Sequence, residues 1–161
     1  MDYIIEDLNI SKKVEELELE FPTNNLAFFP ENFVDAKTKS DFVFTDSMPD
    51  LSKIFLHDNQ ISVNALGEDT ELYRSRKSAD VYLPAMFFGL SLITENPTIV
   101  SVSLNVLSNY VYDLCKGSSG KKTAHVDLYI ETKEKGIVKK ISYKGDAEGL
   151  KDLKNIIKEM K

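Results

Sequence analysis

The sequence predicts an α+β protein built on a mostly antiparallel sheet, and three observations in its second half carry that prediction. Residues 124–131 alternate, with Ala124, Val126, Leu128 and Ile130 on one face and His125, Asp127, Tyr129 and Glu131 on the other. A return strand over 137–144 follows a turn in which Gly136 tolerates positive φ. Two helices flank this hairpin: an apolar one over about 97–116 and an amphipathic one over about 146–160.

In chain order, residues 1–10 (MDYIIEDLNI) carry acids where a leader needs positive charge, and no long apolar run follows. That composition predicts a cytoplasmic protein. Residues 11–21 fit two periods: Ile10, Val14, Leu17 and Phe21 are spaced for a helix, while Leu17, Leu19 and Phe21 alternate like a strand. Turn residues around Pro22–Asn25 and Pro30–Asn32 make 22–40 a long connection, folded back over a core by Phe28, Phe29, Phe33 and Val34. The middle is strand-rich. Residues 41–46 place Phe42 and Phe44 on one face, and 60–66 and 71–83 read as strands joined by Gly67-Glu68-Asp69. Between them, 50–56 forms helical turns with Ser47 or Asp50 as cap.

Residues 84–94 (PAMFFGLSLIT) carry no charge. Asn96 is then a good N-cap and Pro97 suits a first helical position, so a helix runs to about Lys116 and stops at Gly117. Apolar side chains cover most of its circumference, which makes it a central buried helix or a partner-covered one. Residues 81–94 and 96–112 are separated by Glu95, and neither run reaches the roughly 20 apolar residues of a membrane span. A buried helix hairpin is the first expectation for this block, a partner-binding apolar face the second, and a peripheral membrane contact the third. In the last helix Asp146 is the cap, Glu148 suits the dipole, and Leu150, Leu153, Ile156, Ile157 and Met160 form the buried stripe. The chain is expected to be one domain over 1–161, with 1–40 as an irregular annex and 96–161 as a helix–strand–strand–helix subdomain.

Composition excludes several functions. The 161 residues are 42% hydrophobic and 29% charged, ordinary for a globular chain long enough to bury a core. The net charge of −6 divides into −9 over residues 1–80 and +3 over 81–161. An acidic front half disfavours nucleic-acid binding, which relies on phosphate neutralisation. The basic back half could meet an anion, or the acidic half of the same chain. Cys115 is the lone cysteine, so no disulfide framework exists, and its place on an apolar helix suits packing better than thiolate chemistry. His57 and His125 are the only histidines and have no cysteine at ligand spacing, so no metal site is expected. No nucleophile elbow or phosphate-binding loop occurs. No catalytic residue and no cofactor are assigned.

Two features remain as contact candidates. Arg74 and Arg76, the only arginines, fall on one face of a strand beside Lys77. This cationic spot suits phosphate or carboxylate, an internal partner for the acidic half, or a charged edge that discourages strand pairing. Lys139, Lys140, Lys144 and Lys151 make a second basic patch, whose nearby helix start is already occupied by Asp146 and Glu148. The apolar face around Met86, Phe87, Phe88 and Leu90 is the expected partner contact, with Arg74 and Arg76 as polar anchor.

The order NPTIVSVSLNVLSNYVYDLCKG, VDLYIE, KKISYKGDAEGLKDLKNII resembles the small effector-associated constant component proteins of bacterial conflict and antiviral gene clusters. There too a hydrophobic helix precedes a strand hairpin and a glycine-aspartate turn into a final helix. The resemblance covers residues 96–161. It implies a non-enzymatic accessory protein that contacts an effector or sensor, and it carries over no catalytic residue. The expectation is therefore a protein-interaction component of a bacterial defence system, with self-association left open. The alternative is a sensor that holds a nucleotide-like anion with Arg74, Arg76 and Lys77.

Overall fold

The computed structural model describes residues 2–20, 22–67, 73–74, 80–116 and 123–159. The expected hairpin is its spine: β8 (Ala124–Glu131) and β9 (Ile137–Gly145) pair antiparallel from Ala124↔Gly145 to Glu131↔Val138. Gly136 makes the turn at φ +80°, a backbone angle that favours glycine, beside the Ser11 side chain.

Among the described residues the main sheet has seven strands. On one side of the hairpin lies β1 (Asp2–Asn9), antiparallel to β9. On the other lie β7 (Ala85–Phe88), parallel to β8, then β2 (Leu26–Phe29), antiparallel to β7, then the short β4 (Asn64–Ala65), parallel to β2. A two-residue strand, β6 (Val81–Tyr82), joins β8 ahead of β7. The registers Tyr82↔His125 and Met86↔Leu128 leave one extra residue on the β6–β7 side, a bulge at Leu83–Ala85 around Pro84, which has no N–H to donate. Because the bulge shifts the alternation, Tyr82 and Phe87 face the same side. The sheet is mixed, with its longest pairings antiparallel, within an α+β fold. A separate two-stranded sheet pairs β3 (Phe44–Thr45) with β5 (Tyr73–Arg74).

One face carries the helices. There Phe55 of α2 (Met48–Asn59) meets Phe28 edge-on at 6.4 Å, and α4 (Ile99–Cys115) packs against both α2 and α5 (Ala147–Glu159). Ser108 donates to the Ala147 carbonyl at 2.7 Å, fixing α4 to the start of α5. That start is capped as expected: Asp146 Oδ1 accepts from Gly149 N at 2.8 Å. The helix proposed over 97–116 is present as Ile99–Cys115, but Thr98 takes the cap position and Asn96 instead ends α3 (Leu90–Glu95). The opposite face is aromatic. Phe29 stacks on Phe87 at 4.9 Å and lies 5.1 Å from Tyr129, and Phe33 and Phe42 cover this cluster from the 30–43 connection. Asn32 stitches that connection closed, donating to Asp41 O at 2.6 Å and accepting from Val43 N at 3.0 Å.

Several expectations change. Residues 1–40 are no annex, since β1 and β2 belong to the main sheet. The described part of the ambiguous 11–21 stretch, residues 11–20, forms α1 (Ser11–Glu16) and no strand. The block 84–112 is not a helix hairpin: its first half is strand β7 followed by α3. The strands expected over 41–46 and 60–66 shrink to two-residue pieces, and of the strand expected over 71–83 the described residues hold β5 and β6, while 71–72 and 75–79 lie outside the described residues. Tyr129, placed by alternation on the polar face, is buried because the 30–43 connection covers it. Among the described residues, no helix is long and apolar enough to cross a membrane.

Candidate interaction edge

The two ends of the main sheet differ. β4 ends one side with two residues, whereas β1 ends the other with an unbroken eight-residue register from Asp2↔Lys144 to Asn9↔Ile137. Strand formation in DYIIEDLN follows from its β-branched and aromatic centre and from charge: Asp2, Glu6 and Asp7 fall opposite Lys144, Lys140 and Lys139. Only the last pair closes, with Lys139 Nζ 2.8 Å from Asp7 Oδ1. Lys140 lies instead over the Tyr129 ring, 5.8 Å from its centroid. The basic patch of the back half therefore faces the acidic front half, one of the arrangements its charge allowed.

The hydrogen-bond phase shows what β1 leaves open. Thr132 N donates to Ile137 O, and Ile10 N donates to Gly136 O at 2.8 Å. Odd residues of β9 thus bond to β8 and even ones to β1. In the β1–β9 register the even residues of β1 are the bonded ones, so the N–H and C=O groups of Tyr3, Ile5 and Asp7 point away from the sheet. Among the described residues no strand pairs with that edge. The side chains are open as well: Tyr3 is 42%, Ile4 64% and Ile5 38% exposed. Edges are usually blunted by brevity, proline, a bulge or charged side chains; β1 is long, regular and free of proline, and its acids Asp2, Glu6 and Asp7 turn away a strand of like charge.

Beside β1 on the aromatic side of the sheet, an open cleft of about 740 Å³ is lined by Asp2, Ile4, Glu31, Asp127, Lys144 and His125 among others. His125 Nε2 lies 2.9 Å from Asp80 Oδ2, and its ring stacks on Tyr82 at 4.5 Å with 6° between planes. The carboxylates lining this cleft make it a poor anion site. Among the described residues no group of three His, Cys, Asp or Glu side chains is arranged to hold a metal ion. The buried tyrosines beneath respond to their setting. Burial, then the Asp127, Glu6 and Asp35 charges, pushes the Tyr129 phenol up strongly. Burial, then Asp146 and Asp152, pushes Tyr143 up to about 12.

The residues singled out from sequence are not brought together. Met86, Phe87 and Phe88 are fully buried in β7, covered on both faces, so they cannot be the partner contact. A run without charge marks a strand buried on both sides, as strands with parallel neighbours commonly are. Leu90 is half-buried at the start of α3, where its N–H donates to Glu131 Oε1 at 2.7 Å. Arg74 lies in β5 opposite Thr45, and its side chain, together with Arg76 and Lys77, lies outside the described residues. His57 is exposed near the end of α2. The edge strand does carry a sequence signal, Tyr3, Ile4 and Ile5 flanked by acids, that the charge pattern of residues 1–10 alone does not bring out. Comparison of the chain with family models, with curated proteins and with solved structures finds no match in any of the three.

Proposed function

We propose that this chain is a non-enzymatic protein-interaction component that recruits its partner by strand addition to the outer edge of β1. The observation that carries the reading is the regular eight-residue edge, with its outward backbone groups and exposed Tyr3, Ile4 and Ile5. Strand addition takes affinity from main-chain hydrogen bonds and specificity from alternate side chains, and β1 offers both. The resemblance of residues 96–161 to effector-associated constant components supplies the setting: an effector or sensor encoded beside it in a bacterial antiviral cluster.

The test uses Ile5→Pro. The Ile5 N–H points outward, so proline removes a docking donor without removing a bond to β9. Purified with the products of neighbouring genes, the chain is expected to form a complex that Ile5→Pro weakens at least about tenfold, while its circular dichroism is unchanged. A complex indifferent to Ile5→Pro, or no complex with any of those products, overturns the proposal. The anion-sensor alternative rests on Arg74, Arg76 and Lys77, and a nucleotide-induced thermal shift abolished by Arg76→Ala would revive it.

A further inference from the structure

We infer that the segment docking on β1 is an extended stretch of another protein carrying basic side chains at its first, second and sixth positions and uncharged ones between. This deepens the strand-addition reading and rests on it. The template is β9, the strand that already pairs with β1. Read antiparallel to β1, its Lys139, Lys140 and Lys144 stand opposite Asp7, Glu6 and Asp2, and its Ile141 and Tyr143 stand opposite Ile5 and Tyr3. A strand on the outer edge meets the same row of side chains from the other side. Its second and sixth residues would share the cleft face with Glu6 and Asp2. Its third and fifth would cover Ile5 and Tyr3 on the helix face, and its fourth would cover Ile4, the most exposed of the three.

Charge selects this occupant. β1 carries Asp2, Glu6 and Asp7 and no basic residue. Among the described residues, neither Asp2 nor Glu6 forms an ion pair, while Asp7 holds Lys139. Opposite charges directly across a strand pair stabilise it and like charges oppose it. A second copy of the chain brings the same acids and no basic residue to meet them. Of the antiparallel registers that let the outward odd residues bond, the one centred on Ile4 sets Asp2 against Glu6, and those centred on Tyr3 or Ile5 leave the acids opposite apolar or aromatic side chains. The net charge of −6 on each copy adds to the repulsion.

The probe is a synthetic peptide with the sequence of residues 138–145 (VKKISYKG), titrated into the full chain while backbone amide exchange is followed. The expected result is new protection at the Tyr3, Ile5 and Asp7 amides. The same peptide with glutamate for its three lysines should bind at least about tenfold more weakly. Added salt should weaken the basic peptide, and Ile5→Pro should abolish the protection. Equal binding of both peptides overturns the charge rule, and binding that survives Ile5→Pro overturns the location. If neither peptide binds while a neighbour-encoded partner complex remains sensitive to Ile5→Pro, the partner chemistry falls and edge docking stands. If that complex ignores Ile5→Pro, edge docking itself falls. A wild-type dimer in sedimentation that Ile5→Pro dissociates would make a second copy the occupant and overturn the inference.

Discussion

β7 and β1 are strands of one sheet with opposite fates. Ala85–Phe88 is the more apolar in sequence and lies in the middle of the sheet, with helices on one face and an aromatic cluster on the other. Asp2–Asn9 mixes three acids with Tyr3, Ile4 and Ile5 and ends up at the edge, exposed along nearly its whole length. The stickier segment is spent on the core, and the better-solvated one keeps a free backbone. Apolar character therefore points to the core, and position in the strand order decides what is left for a partner.

The largest effect should come from truncating the central strand. Phe87→Ala removes a fully buried ring stacked on Phe29 and is expected to cost about 3–5 kcal/mol in urea unfolding. Ile4→Ala on the edge should stay within about 0.5 kcal/mol. If the two variants cost the same, the contrast between core and edge strands is wrong.

A second test separates the buried phenols from the exposed edge. Tyr143, held by its hydroxyl donating to Asp146 O at 2.7 Å, has its pKa raised from 10.0 to about 12. A raised value means the fold favours the protonated form. The stabilisation is thus complete below the unfolded pKa near 10 and is lost as pH rises through about 12. Tyr129 shifts in the same direction. Unfolding midpoints should fall over that alkaline window, and Tyr143→Phe should blunt the fall while losing about 1 kcal/mol at neutral pH with its hydrogen bond. A flat alkaline profile would contradict the burial of these rings. Smaller again is the cap of α5: Asp146→Ala should cost about 1 kcal/mol and leave amide exchange in β1 unchanged.

What was legible in the sequence follows the range of the interactions involved. The β8–β9 hairpin and α5 were readable to within a residue or two because alternation, a glycine turn and an aspartate cap are local signals. α4 was readable as an apolar helix, though Asn96 and Pro97 misplaced its start by two residues. The middle of the chain was not readable, because β3 to β6 are two-residue strands defined by distant partners rather than by their own pattern. β2 hid inside a stretch bounded by turn residues, and the bulge at Pro84 broke the period that would have linked Tyr82 to Phe87. The candidate edge was harder still. Its residues were plain, but the freedom of one side of β1 depends on β9 taking the other, 128 to 142 residues away.

The smallest effect discriminates best between stability and recognition. Asp7 and Lys139 form an exposed pair at 2.8 Å, and such pairs contribute about 0–1 kcal/mol, screened by salt. Asp7→Asn should therefore leave the unfolding midpoint nearly unchanged, since the β1–β9 ladder is held by the even-numbered backbone bonds. The same substitution removes one of three carboxylates from the docking row. It should weaken the basic 138–145 peptide by about two- to fivefold and lessen the salt dependence of its binding. A variant that lost stability but not peptide affinity would mean that the acids of β1 serve the fold alone, and the partner would then be chosen by Tyr3, Ile4 and Ile5.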